Sequence, residues 1–321
     1  MHRHPTLRAH ALCTLFTVCS GCATAGTLQP AGGFTQTLGR AHPLVGVIWN
    51  VSAHAASTPD ALRSALAQAR YAVLGETHDN RDQHLLQAEL TGAFLAAHPG
   101  AVVAFEMLDE DQAPQLRAGP LRDADALAER VHWSETGWPA FELYRPLVAI
   151  ALQAGATIVA AHPSAEHVRA SLHGVSDDEA RALHLEPPLP PDQLAAQAEE
   201  IRAGHCGHAP AAMVTAMQRA QSYKDAFMAR ALYSTGKPAL LIAGRGHARN
   251  DRAVPVFLRR AGASAILSVA FMDVDDAHTR AADYDIGAFD YVVFTPRVTD
   301  EDPCQRFRQQ LETMHAHPAE P

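Results

Sequence analysis

The sequence predicts an α/β fold: a mainly parallel central sheet flanked by helices, with a helical subdomain inserted before the later strands. Three observations carry this. Short apolar runs rich in Val, Ile, Leu and Ala stand at 71–74, 101–105, 157–161 and 239–243, the pattern of strands buried on both faces. Stretches of helical periodicity separate them. Between the third and fourth runs lie several helical patterns and no strand. With 321 residues, 47% of them hydrophobic, the chain suffices for one large domain. A net charge of −9 argues against a broad nucleic-acid footprint.

The first element is a signal. Residues 1–10 hold Arg3 and Arg8 and no acid, residues 11–18 are a short apolar core, and Cys19-Ser20-Gly21-Cys22 follows. Basic region, apolar core and small-residue cleavage site read as a secretory signal. A Cys directly after Ser-Gly resembles a bacterial lipoprotein signal, with residues 1–21 removed and Cys22 lipidated. Cys19 departs from the usual Leu, and an ordinary signal cut nearby is the alternative. Ala23 in place of Asp favours the outer membrane, facing the periplasm. Residues 22–41 are rich in Gly, Thr and Ala without periodicity and read as a flexible tether. The domain then spans 42–314, with residues 315–321 a disordered tail.

A strand is expected at 45–49. Thr58-Pro59-Asp60 supplies a cap and a first-turn Pro for a helix to about 70. The strand at 71–75 leads into a helix at 79–97 with an apolar stripe of Leu85, Leu86, Leu90, Phe94 and Leu95. Helical patterns follow at 109–117, 123–132 and 139–154. The insertion, about 164–235, holds helices at 164–172, 176–184, 191–203 and 210–234, with a Pro-rich spacer at 186–191. Strands at 265–271 and 291–294 and a helix at 300–314 complete the chain. In an exported protein, Cys206 and Cys304 form an even pair. They read as a disulfide, or Cys206 serves as a ligand within His205-Cys206-Gly207-His208.

The chemistry lies where the strands end. The apolar runs lead into Gly75-Glu76-Thr77-His78, Glu106, His162 and Gly244-Arg245-Gly246-His247. Ligands of open α/β sheets bind beyond the carboxyl ends of the strands, so neighbouring strands would bring Glu76, His78, Glu106, His162 and His247 together. The repeated Gly-x-x-His is more telling than either copy. Two imidazoles with carboxylates suit a Zn, Mn or Fe site; otherwise the histidines cap turns. Arg245 and Arg249 either hold a ligand's carboxylates or pair with Glu76 or Glu106. His84 faces the pocket or the core. Asp225, inside an apolar helix, needs a partner, and Arg230 is the candidate. Trp138, Phe141 and Tyr144 or Arg145 share a helix face, as core packing or as the wall of a flat ligand's slot.

Taken together, these residues resemble the ChaN family of haem-binding, iron-regulated lipoproteins in the haem-uptake and Tiki superfamily. The matching stretches are His42–Trp49, Leu74-Gly75-Glu76-Thr77-His78-Asp79-Asn80, Gln87, Phe105-Glu106-Met107, Trp138–Pro146, His205-Cys206, Ala220-Gln221, Asp225–Ala229 and Gly244–Arg249. The resemblance implies a lipoprotein that acquires or stores haem iron, with haem held between two subunits by a tyrosine. Tyr144 is the carried-over iron ligand and Tyr223 the next choice, with His84, Arg245 and Arg249 around the propionates. The chain departs from the family at Gln83-His84, where two adjacent histidines are common.

Members of the wider superfamily use Gly-x-x-His motifs and a glutamate around a divalent metal. The alternative reading is therefore a metal-dependent hydrolase. His78, Glu106 and His247 would be its ligands and Glu76 its general base.

Overall fold

A computed structural model of the chain describes residues 26–302 together with 304, 305 and 308. The expected signal, the lipidation at Cys22, the tail and most of the last helix lie outside these residues. In chain order the elements are β1 (Ile48–Asn50), β2 (Ala55–Ser57), α1 (Pro59–Gln68), β3 (Tyr71–Glu76), α2 (Arg81–Ala97), β4 (Val102–Asp109), α3 (Ala113–Arg117), α4 (Ala124–Arg130) and α5 (Phe141–Gln153). They continue with β5 (Thr157–His162), α6 (Ala165–Ser171), α7 (Asp177–Ala182), α8 (Pro191–Gly204), α9 (Ala211–Tyr233), β6 (Ala239–Gly244), α10 (Val254–Arg260), β7 (Ile266–Asp273) and β8 (Tyr291–Thr295).

The strands form one sheet in the order β2-β1-β8-β7-β3-β6-β4-β5. The six from β8 to β5 run parallel, while β1 is antiparallel to both its neighbours. This is the mainly parallel α/β sheet the apolar runs predict. Alternate side chains go to opposite faces. Leu74, Phe105 and Ile242 join α1, α2 and α5 in one core cluster. Val73, Ala104 and Leu241 join α9 and α10 in the other. The helices between β5 and β6 are the expected insertion, and α9 carries it back over β4, β5 and β6.

Local chemistry sets the helix starts. Thr58 accepts from the Ala61 amide at 3.1 Å, and Asn80 accepts from the Asp82 and Gln83 amides that open α2. Two elements were not expected from the pattern, β2 and α10. The described part of the tether also differs from expectation. Leu28 is buried, Thr27 bridges Val47, and the amides of Thr35 and Gln36 donate to the buried Asp82 carboxylate at 2.8 and 2.9 Å. Apolar burial and charge-assisted hydrogen bonds hold residues 26–41 on the domain. Cys206 and Cys304 are bonded, with Cα atoms 5.5 Å apart across 98 residues of sequence, so Cys206 is no metal ligand. The bond pins Cys304 to the turn between α8 and α9.

Candidate functional site

The order β3-β6-β4-β5 makes the four motif-bearing strands neighbours, and Glu76, His78, Glu106 and His247 converge at their carboxyl ends. Gly75 allows the close approach this requires: a Cβ there would lie 2.7 Å from the Ala248 Cβ and 2.8 Å from the Arg245 Cα. Gly244 is bare for a similar reason, since a Cβ there would stand 3.0 Å from the His78 ring.

Two linked charge clusters result. The Glu76 carboxylate, fully buried, meets His78 Nδ1 at 2.8 Å, while the His78 side chain stays 36% exposed. Among the described residues Glu76 Oε2 lacks a partner at full hydrogen-bond geometry, with the Tyr144 phenol as its neighbour. Burial opposes the charged His78 ring, but the bond to Glu76 and the charges of Glu76 and Glu106 raise its pKa. Deeper in, His247 Nε2 stands 3.1 Å from Glu106 Oε1 and Nδ1 2.6 Å from Asp225 Oδ1. Gln221 approaches the same ring at 3.3 Å, and the Gly244 amide donates to Glu106 Oε2 at 2.7 Å. Burial works against the His247 charge, yet the two carboxylates lift its pKa to about 10. Burial likewise resists the Glu106 charge, and His247, His78 and the Gly244 amide hold the carboxyl well below the usual range. The His247 ring is thus favoured in its charged form beside Glu106, while burial pushes the Asp225 carboxyl upward against the pull of His247.

That arrangement changes several expectations. Both nitrogens of His247 are occupied by carboxylates. Among the described residues, no group of three or more His, Cys, Asp and Glu side chains is placed to hold a metal ion. His78, Glu106 and His247, the expected metal ligands, are engaged in charge pairs with Glu76 and Asp225 and with one another. Glu76, expected as a general base, is buried and holds His78 through the 2.8 Å contact. His162 ends β5 but turns Nδ1 onto the Pro163 carbonyl at 2.6 Å. Burial lowers its pKa against the pull of Glu106.

Asp225 finds His247 and not Arg230, whose guanidinium lies 4.6 Å over the Phe227 ring. Sequence reasoning missed Asp273 at the end of β7. It accepts from Thr77, Asn80 and Gln83 at 2.9, 2.6 and 3.1 Å. Its signal was the same, an acid closing an apolar run.

The expected cofactor residues scatter. His84 is fully buried, with Nε2 on the His78 carbonyl at 3.1 Å and its ring against Tyr144. Tyr144 is fully buried. Its hydroxyl lies 3.4 Å from the His78 carbonyl, and burial with Glu76 and Glu106 nearby pushes the phenol far above its ordinary value. Tyr144 and His84 pack at the floor of the cluster. Arg249 is held by Asp251 at 2.8 Å and Asp285 at 2.7 Å and has no free fork for propionates. Arg245 pairs with neither Glu76 nor Glu106 and reaches Thr77 and the Phe271 carbonyl at 3.5 and 3.3 Å. Both arginines line a polar cavity of about 400 Å³ that Asp273, Asp275, Asp283 and Asp285 make acidic.

A different concavity takes up Tyr223. Between the α6–α7 segment, α9 and α10 lies a solvent-open cavity of about 300 Å³, lined mainly by apolar groups such as Val175, Leu185, Leu189 and Phe257. Tyr223, Arg219 and Arg260 line it too. Arg219 donates to the Leu172 carbonyl and Arg260 to the His184 and Leu185 carbonyls. Neither contacts a carboxylate among the described residues, and burial lowers the Arg260 pKa against only the more distant charge of Glu186. The Tyr223 hydroxyl donates to Glu179 at 2.6 Å.

The family model for haem-binding uptake, Tiki superfamily, ChaN matches residues 62–258, and the chain belongs to this family. Among solved structures it is similar to ChaN of Campylobacter jejuni, described as binding haem cofacially. The TM-score is 0.64 at 18% identity, covering 77% of this chain and 95% of that one; the likeness shows a shared fold. The type III effector HopBA1 aligns at TM-score 0.45 and 13% identity, over 86% of this chain and all 100% of that one. An erythromycin esterase EreC variant aligns at 0.39 and 13%, over 78% and 82%. No curated protein matches.

Proposed function

We propose that the chain binds haem in the apolar cavity beside α9 and serves haem or iron acquisition or storage at the bacterial outer membrane. Family membership supports the ligand. The observation that supports this seat is Tyr223 on an apolar cavity beside two arginines that donate to backbone carbonyls and touch no carboxylate among the described residues. Haem combines an apolar macrocycle, two anionic propionates and an iron that accepts tyrosine. Apolar walls with a few placed polar groups suit it, whereas four aspartates around Arg245 and Arg249 would repel propionates.

Val175, Leu185, Leu189 and Phe257 would exclude water, Arg219 and Arg260 would face the propionates, and Tyr223 would be the axial ligand. The cavity is open on one side, so a second copy facing the first would complete the enclosure. Cofacial binding in the Campylobacter relative supports a homodimer formed on haem binding. Lipidation at Cys22 would anchor the domain to the membrane. Titration of the mature protein with haem should give a saturable Soret shift and a doubling of mass. Non-saturating absorbance on a monomer would reject this reading.

One observation favours a second activity at the strand ends. Buried Glu76 fixes a partly exposed His78, the geometry of an oriented general base. Such a site would hydrolyse esters or peptides, with or without an added divalent ion. Turnover of a chromogenic ester that disappears in His78→Ala, with haem binding intact, is the expected result. No turnover with or without zinc rejects it.

A further inference from the structure

We propose that the sheet edge made by residues 26–59 rests on the surface of the bilayer, with the acidic bulk of the domain turned away from it. The inference rests on lipidation at Cys22, as read above, and adds which face of the protein the anchor brings to the lipid.

The reach of the anchor is short. Gly26 already lies against Pro59, so close that a Cβ would stand 3.2 Å from the proline Cδ. Thr27 bridges Val47, and the Leu28 amide donates to the Gly46 carbonyl at 2.7 Å. Farther along, the Thr35 and Gln36 amides hold the Asp82 carboxylate, so peeling this segment away would strand a buried charge. Only residues 23–25 separate Gly26 from Cys22, and four Cα–Cα steps span at most about 14 Å. From β2 to β5 the sheet is about 34 Å wide, at about 4.8 Å per strand. An anchor with less than half that reach brings the β1–β2 edge to the lipid and holds β5 away from it.

Charge points to the same face independently. The first acid of the chain is Asp60, so none of the 35 Asp and Glu residues lies in the 26–59 segment, although the net charge is −9. The ionisable side chains there are Arg40, His42 and His54. Arg40 is exposed and gives its donors to the Gln36 and Thr35 carbonyls, so its charge is not cancelled by a carboxylate among the described residues. The acids that border the edge are engaged, Asp60 by Arg63 and Asp276 and Asp300 by Arg297. An anionic headgroup surface attracts basic groups and repels acids within a Debye length, about 8 Å. An acid-free edge is therefore the part of this chain that can lie within that distance. Ala55 and Ala56, exposed on β2, add no bulk that would hold it off.

Energy transfer from protein to lipid tests this. The lipidated, haem-free protein is placed in vesicles of phosphatidylethanolamine and phosphatidylglycerol that carry an acceptor dye on the headgroups. A donor dye is attached at Ala55→Cys on β2 or, in a separate sample, at Thr157→Cys on β5, both exposed positions. Transfer should be nearly complete from position 55 and slight from position 157. Equal transfer from the two positions, or more from 157, in lipidated protein that melts like the wild type overturns the proposal. Failure of the lipidation reading looks different. A mass without a diacylglyceryl group on Cys22, in protein that washes off the vesicles, removes the anchor and the proposal with it. Lipidated, vesicle-bound protein that lacks the contrast removes the orientation alone.

Discussion

Replacing Tyr223 with Phe is expected to remove the phenolate-to-iron charge-transfer band of the haem-loaded protein. It should weaken haem binding by at least about tenfold, ~1.4 kcal/mol. The contrast with Tyr144 makes the experiment decisive. Tyr223 lines an apolar cavity with two arginines, so on the proposed reading losing its oxygen removes the iron ligand while the wall remains. The Tyr144 ring is packed against His84 at 4.4 Å and Trp133 at 5.1 Å, with its hydroxyl 3.4 Å from the His78 carbonyl. Tyr144→Phe should cost stability, about 1 kcal/mol for a weak buried hydrogen bond, and leave the spectrum alone. A Tyr223→Phe protein with an unchanged band, beside a Tyr144→Phe protein that has lost it, would move the haem to the strand ends and reverse the assignment.

The strand ends were legible because a polar residue closing a buried apolar run has few explanations. Glu76, His78, Glu106 and His247 were visible on that ground alone. Their partners were less so. Asp225 lies on a helix that crosses back over the sheet, and only the strand order, with β6 between β3 and β4, brings it to His247. The two tyrosines show the same limit. Both stand in helices with aromatic neighbours, and sequence spacing does not say which helix face meets a cavity and which meets the core. Arg249 was expected to hold a ligand's carboxylates or to pair with Glu76 or Glu106; its partners Asp251 and Asp285 are loop acids on no periodic element.

The missed elements have local causes. β2 is Ala-Ala-Ser, mostly exposed, and pairs only through its backbone. α10 is only seven residues long, two turns, so its apolar spacing at 254, 257 and 258 is too short a run to declare a helical period. The tether looked unstructured because its anchor, Asp82, belongs to another helix.

His247→Ala is expected to be the most destabilising single change at the strand ends. The wild-type ring neutralises part of two carboxylates that have almost no contact with water, Glu106 at 4% and Asp225 at 1% exposure. Removing the cation strands both, and breaking a buried pair in this way typically costs 3–5 kcal/mol, a fall in melting temperature of roughly 10 °C. The pH dependence carries a sign that a simple cavity would lack. The folded pKa of His247 is raised from 6.5 to about 10. The stabilisation is therefore complete below about pH 6.5 and drains away as pH rises toward 10. Urea midpoints of wild type and variant, measured at pH 6, 8 and 10, should converge at the alkaline end. A gap of constant size would mean that lost packing, not lost charge, is responsible. Adding Glu106→Gln to His247→Ala should restore part of the loss, since it removes one of the two stranded charges while keeping an acceptor for the Gly244 amide. Glu106→Gln alone should destabilise, because it leaves the imidazolium with a single carboxylate. Opposite signs from one substitution in two backgrounds would identify the buried charge triad, and not the volume of any one side chain, as what holds the ends of β4 and β6 to α9.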